Sequence, residues 1–219
     1  MTAAASSARD GLPSARTPDE AVWHTYLVRH AETEWSLSGR HTGKTDVPLT
    51  ENGRRIARDL ESLLAPSNFA LVLSSPLQRA RQTSVLAGYG ERAVIDRDLS
   101  EWDYGAYEGL TTEQIHERAP DWMIFSDGCP GGESPAQIGA RVDRVIAKVQ
   151  STAGDVALFA HGHLLRVLAA RWLGLPVSAG SRFLLDTATL SVLSHYRSIP
   201  AIKQWNSRVP DPGNTRAVA

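Results

Sequence analysis

Arginine, histidine and glutamate recur in this chain at one kind of place, the end of a short apolar run. The run 25–29 (TYLVR) leads into His30-Ala31-Glu32-Thr33, and 69–73 (FALVL) leads into Ser74-Ser75-Pro76-Leu77-Gln78-Arg79-Ala80. A third run, 93–95, is followed by Leu99-Ser100-Glu101-Trp102, and 155–159 (DVALF) by Ala160-His161-Gly162-His163. Arg29, His30, Arg79, Glu101 and His161 are the residue types a phosphoryl-transfer site needs. Guanidinium groups present fixed pairs of donors that match phosphoryl oxygens. An imidazole nitrogen can attack phosphorus and leave again from a phosphohistidine. A carboxylic acid can protonate a departing alkoxide, and a second imidazole can donate to a non-bridging oxygen as charge shifts. With its cations built in, this chemistry calls for no metal ion and no cofactor. On residue type alone Asp98, Asp103 and Glu108 compete with Glu101 for the acid's role; Glu101 is favoured because it follows the third run.

These residues meet only if the runs are neighbouring strands with their carboxyl ends on one rim, where open α/β sheets bind ligands. The intervening sequence supports that arrangement. Thr50 is an N-cap ahead of an amphipathic stretch carrying Ile56, Leu60, Leu63 and Leu64 to a stop at Pro66. Pro76 opens a helix over 77–86. Ser134 and Pro135 open another, with Ile138, Val142, Val145, Ile146 and Val149 on one face, and 164–173 is a fourth, closed by Gly174 and Pro176. A further strand is expected at 190–196. Strands alternating with helices of this length predict βα units around a mainly parallel sheet. The aromatic, Gly- and Pro-rich segment 101–133 is expected to be loops plus a short helix, with Trp35, Trp102, Tyr104, Tyr107, Trp122 and Phe125 as candidates to wall a cleft.

Composition bounds the rest. In 219 residues, Lys plus Arg number 23 and Asp plus Glu 24, a net charge of −1 that offers no global attraction to nucleic acid or to an anionic membrane. No apolar run reaches the roughly 18 residues of a membrane span. The single cysteine, Cys129, excludes an internal disulfide framework and a multi-cysteine zinc site. Residues 1–22, rich in Ala, Ser, Thr and Pro, are expected to be a disordered extension, 23–205 the folded domain, and 206–219 a flexible tail. A cytoplasmic location is expected, as no secretory leader is evident.

The motifs also carry a likeness. Leu27-Val28-Arg29-His30-Ala31-Glu32-Thr33-Glu34-Trp35 resembles the signature of the histidine phosphatase superfamily, which includes the cofactor-dependent phosphoglycerate mutases. The likeness continues through Thr42-Gly43, Asp46-Val47-Pro48-Leu49-Thr50, the segment 74–83, Glu101 and His161-Gly162, and spans about 25–196. It implies a three-layer α/β/α sandwich with a mainly parallel central sheet. It implies that His30 is the phosphorylated nucleophile, that Arg29, Arg79 and His161 complete the phosphate pocket, and that Glu101 is the proton donor. Ser36, Thr42, Gly43, Tyr104 and Gly162 fall where relatives contact substrate or phosphate, and His163 lies within reach. Segments 101–109 (EWDYGAYEG) and 127–134 (DGCPGGES) resemble the branch of acid phosphatases and sedoheptulose-1,7-bisphosphatases.

The resulting expectation is a metal-independent phosphomonoesterase acting through a phosphohistidine on small phosphorylated metabolites, sugar phosphates foremost, with a homodimer allowed. The alternatives are a phosphoglycerate mutase and a non-catalytic phospho-ligand binding module. The short segment after Glu101, whose basic residues are Arg118 and His116, weighs against the mutase, and the presence of all five pocket residues against the binding module. His24, His41, His116, His195, Arg81 and Cys129 are read as structural or surface residues. Phosphate release from phosphomonoesters is expected to persist in excess EDTA; loss of release on chelation would contradict the reading.

Overall fold

The computed structural model describes residues 22–209; the expected extension, apart from Val22, and the tail from 210 onward lie outside the described residues. Strand β1 (Thr25–Arg29) is followed by a short helix α1 (Glu34–Leu37) and by α2 (Glu51–Leu64). Then come β2 (Phe69–Ser74), α3 (Gln78–Leu86) and β3 (Ala93–Ile95). The segment that follows holds two short helices, α4 (Thr112–His116) and α5 (Ile124–Asp127), where one was expected. Helix α6 (Pro135–Gln150), β4 (Asp155–Ala160), α7 (Gly162–Trp172), β5 (Leu190–Tyr196) and β6 (Ile199–Ser207) complete the chain.

The strand order is β3-β2-β4-β1-β5-β6. Pairs β1/β4, β2/β4 and β2/β3 are parallel, and β5 is antiparallel to both its neighbours. Alternation along each strand divides the core. Leu27, Leu73 and Leu158 face α6 and α7, where Ile138, Val142, Leu164 and Leu168 meet them. Val28, Val72, Ala157 and Phe159 face the other way, onto Ala57, Leu60 and Leu64 of α2. The result is three layers, as expected. Because β1 feeds the helices of one face and β4 the helix of the other, these neighbouring strands flank the switch point where such sheets open a crevice.

Local chemistry sets the helix starts. The Thr50 hydroxyl accepts from Gly53 N–H (2.9 Å), and Ser134 with Gln137 makes a capping box ahead of α6. Two features differ from expectation. Helix α7 begins at Gly162, two residues early, because its first N–H groups find an acceptor outside the helix. Strand β6 was not anticipated, since IPAIKQWNS has no period-2 alternation; its pairing to β5 across a turn with Arg197 at φ 58° supplies what the pattern lacks. It runs two residues into the stretch read as tail.

Among the described residues no helix is long and apolar enough to cross a membrane. Leu158, fully buried on β4, is expected to be a keystone: Leu158→Ala should cost about 2–5 kcal/mol in urea unfolding, with the activity of the remaining folded protein unchanged.

Candidate active site

At the carboxyl ends of β1 and β4 lies a cleft of about 170 Å³ lined by Arg29, His30, Ser36, Thr42, Glu101, Tyr104, Gly162 and His163, together with Gly39, Arg40, His41, Arg166 and Leu185. Register explains the meeting. Arg29 pairs with Ala160, and the His30 backbone N–H donates to the Ala160 carbonyl (2.9 Å), so His30 and His161 leave adjacent strands side by side, ring centroids 5.2 Å apart. A larger cavity, about 340 Å³, opens at the opposite end of the sheet among Trp23, His24, Trp172 and His195, away from the arginine and carboxylate chemistry.

The protonation pattern follows from the partners. His30 Nδ1 lies 2.8 Å from the Ala31 carbonyl, which can only accept, so Nδ1 carries the hydrogen and Nε2 keeps its lone pair. Burial, reinforced by Arg79 and Arg29, holds His30 well below 6.5, so the ring is neutral and nucleophilic. Arg29 donates from Nη1 to the Leu185 carbonyl, but its buried Nε–H has no acceptor among the described residues. An unspent, buried guanidinium donor at the cleft is what an anionic oxygen would satisfy. Gly162 makes room for it: a Cβ there would stand 3.2 Å from Arg29 Nε and Cζ.

Glu101 is 8% exposed and serves as the cap of α7. Its Oε1 accepts from Trp102 N–H and Leu164 N–H (both 2.9 Å), and Oε2 from His163 N–H alone (3.1 Å). This is why the helix starts early. Oε2, with one partner, has capacity left for a ligand atom. Of the four competing carboxylates Glu101 alone lines the cleft. Asp98 is held by Arg144, Asp103 by Lys44, and Glu108 accepts from Gly43 and Thr45 N–H.

Three expected residues stand behind the cleft rather than on it. Arg79, fully buried, donates from Nε to His161 Nδ1 (3.1 Å), from Nη1 to the Thr45 carbonyl, and from Nη2 to the Thr42 and Gly43 carbonyls. His161 is thereby an Nε2–H tautomer, and that hydrogen goes to Ser75 Oγ (2.7 Å). Both ring nitrogens are spent inside the protein, so the expected donation to phosphate requires Nε2 to exchange Ser75 for the ligand. Gly43 packs tightly: its N–H is bound by Glu108, its carbonyl by Arg79, and a Cβ would meet Trp102 O at 2.6 Å, so its backbone N–H is already engaged within the protein.

Other expected contacts are similarly engaged. Ser36 Oγ donates to the Thr33 carbonyl (2.9 Å) and Thr42 Oγ1 to the Arg40 carbonyl (3.1 Å). Tyr104 is buried, which raises its phenol well above 10, and His163 is held well below 6.5, so the 2.6 Å contact is Tyr104 O–H donating to His163 Nδ1. His163 then carries its hydrogen on Nε2, on a residue that lines the cleft. Of the aromatic candidates only Tyr104 lines the cleft; Trp102 and Phe125 are core.

Sequence reasoning passed over Arg40, Gly39 and Leu185, read His41 as structural although it adjoins the phosphate loop, and placed Arg166 beyond the pocket histidine without giving it a contact. Arg166 was findable, since it lies four residues after Gly162 on one helix face. Its Nε donates to the Gly180 carbonyl and its guanidinium covers the Phe125 ring at 4.6 Å. His41 packs on Tyr104 (4.8 Å between centroids), and burial pushes it down to about 4. Nothing local marks Leu185.

A family model described as the histidine phosphatase superfamily (branch 1) matches residues 25–208. The chain belongs to the histidine phosphatase superfamily. Among its histidine phosphatase relatives, an acid phosphatase of Mycobacterium tuberculosis is 44% identical over 170 residues, 76% of this chain and 83% of that one. The sedoheptulose 1,7-bisphosphatase of Saccharomyces cerevisiae is 42% identical over 183 residues, 69% of this chain and 68% of that one. The solved structure of the Mycobacterium tuberculosis open reading frame Rv3214 superposes with a TM-score of 0.83 at 38% identity, covering 86% of this chain and 99% of that one. A mycobacterial glucosyl-3-phosphoglycerate phosphatase structure gives 0.75 at 29%, covering 85% and 100%.

The buried rings make this histidine phosphatase pH-sensitive. His30, His161, His163 and His41 stay neutral in the folded state at pH values where the unfolded chain takes up protons. Between 6.5 and the lowered folded values the unfolded state binds more protons, so stability falls as pH drops through that window. The urea midpoint should therefore decline from about pH 7 to about pH 5, and less steeply in His41→Asn. A flat midpoint would contradict neutral burial.

Proposed function

We propose that the protein hydrolyses small phosphate monoesters, sugar phosphates foremost, without a metal ion and by way of a phosphohistidine. The observation that carries this reading is the pairing, on one cleft, of an Nε2 lone pair on His30 with the unspent Nε–H of Arg29 and the Glu101 carboxyl. Substrate phosphate binds at Arg29, with Arg79 and His161 buried next to His30. Nε2 of His30 attacks phosphorus; the N–P bond forms as the ester P–O bond breaks, and Glu101 gives its proton to the leaving oxygen. Water then attacks the phosphohistidine, Glu101 takes back a proton, and phosphate departs from neutral His30. His163, Arg166 and His41 are available to hold the remainder of the substrate.

Relatives named acid phosphatase, sedoheptulose 1,7-bisphosphatase and glucosyl-3-phosphoglycerate phosphatase support sugar phosphates as the substrate class. The less supported alternative is a phosphoglycerate mutase, which would retain a bisphosphorylated intermediate and isomerise 3-phosphoglycerate in the presence of 2,3-bisphosphoglycerate. The proposal includes a cytoplasmic location and allows a homodimer, for which the mass from light scattering is the test.

Phosphate release, with EDTA present, over sedoheptulose 1,7-bisphosphate, fructose 1,6-bisphosphate, 3-phosphoglycerate and p-nitrophenyl phosphate tests the function. His30→Ala should abolish release while unfolding like the parent; a fully active variant would sink the reading. Glu101→Gln should lower kcat/KM for alkyl phosphates by roughly 100-fold or more, but far less for p-nitrophenyl phosphate, whose leaving group needs little protonation. Equal losses would remove Glu101 from the acid's role.

A further inference from the structure

Glu101 has space on both sides. In front is the catalytic cleft; behind is a second cavity of about 280 Å³ lined by Ser100, Glu101, Asp103, Glu133 and Arg141 among others. The carboxyl itself is held by the Trp102, His163 and Leu164 N–H groups, and the backbone that carries it, bordered by cavities, needs a fixture of its own. Helix α6 supplies that fixture. Its Arg141, Arg144 and Lys148, spaced to share a face, all reach into the strand-to-acid segment 96–103. Lys148 pairs with Asp96 and Arg144 with Asp98, and both cations are about half-exposed or more.

Arg141 is different. Its side chain is 11% exposed, and all five of its N–H donors are spent within hydrogen-bond distance. Nη1 donates to the Asp98 and Ser100 carbonyls (2.8 and 2.6 Å), and Nη2 to the Glu101 carbonyl (3.3 Å) and Glu133 Oε2 (2.7 Å). Nε donates to Glu133 Oε1 (3.0 Å). Glu133 then holds the far side: Oε2 accepts from Asp103 N–H (2.9 Å), and its carbonyl accepts from Trp102 Nε1 (2.9 Å). One guanidinium and its carboxylate partner thus grip the backbone immediately before the acid, at it and two residues after it.

We infer that Arg141, with Glu133, is a positioning residue for proton transfer: it sets where Glu101 stands relative to the leaving oxygen while touching no substrate. The inference rests on Glu101 being the acid. A general acid displaced by about 1 Å can lose on the order of 100-fold in rate, and that loss falls on esters whose leaving group requires a proton. A merely structural arginine would depress all esters alike. Lysine, with three donors on a point charge, cannot reproduce the fork and should restore only part of the effect.

The test is the ratio of kcat/KM for glycerol 2-phosphate to that for p-nitrophenyl phosphate, measured for the parent, Arg141→Gln, Arg141→Lys, Glu101→Gln and the double variant Glu101→Gln/Arg141→Gln. Arg141→Gln is expected to lower the ratio by roughly 10-fold or more, with Arg141→Lys in between. In the double variant the ratio should be no lower than in Glu101→Gln alone, because the two act through one proton. Where Arg141→Gln fails to fold, Arg141→Lys, which removes donors, and Glu133→Gln, which removes an acceptor, carry the same readout. An unchanged ratio in folded Arg141 and Glu133 variants, or fully additive losses, overturns the clamp while leaving the acid assignment standing. An unchanged ratio in Glu101→Gln overturns the acid assignment, and the clamp with it.

Discussion

The hydrogen bond from the His30 backbone N–H to the Ala160 carbonyl extends the β1/β4 ladder by one rung past the strands themselves. That rung makes the two histidines neighbours, and most of the site follows from it. His161 hands its Nδ1 to Arg79, which in turn ties down the carbonyls of the 42–45 loop. One residue later α7 begins, close enough to Arg29 that only glycine fits at position 162 without crowding the guanidinium. A shift of one residue in the β1/β4 register would move side chains to the opposite face and separate all of these groups.

The site concentrates charge at low exposure, which is costly unless each group is hydrogen-bonded or neutral. The protein uses both remedies. Arg79 and Arg141 spend their donors on backbone carbonyls and on neutral or acidic side chains. The histidines are held uncharged by burial beside those arginines, which is also what a nucleophilic lone pair requires. In the proposed mechanism stability and chemistry depend on the same desolvation, so acid weakens the fold through the histidines proposed to react.

Much of this was legible in the chain. Strand ends and the charged residues after them were readable because each short apolar run stops at polar or charged residues, and β1, β2 and β4 came out within a residue. Position along the chain does not reveal which atoms are already occupied. Gly43 and Thr42 sit on the right loop, yet their polar groups are bound by Glu108, Arg79 and the Arg40 carbonyl. Tyr104 reaches the cleft mainly as the partner of His163. Strand β6 was invisible for a different reason: an edge strand of mixed polarity depends on pairing to its neighbour rather than on its own pattern.

Strand β5 is the one reversed member of the sheet, and the reversal decides which part of the chain closes the site. At the other strands the rim is built by residues that follow; at β5 it is built by residues that precede. Leu185 thus accepts from Arg29, Thr189 accepts from the Arg29 backbone, and Ala188 donates to the His30 carbonyl. The Arg29–Leu185 contact joins residues 156 positions apart. Contacts this non-local cost loop-closure entropy before they reward it, which slows the folding of sheets that depend on them. A chain ending at α7 would therefore carry Arg29, His30, Arg79, Glu101 and His161 but lack the segment whose hydrogen bonds hold Arg29 and His30 from the far side.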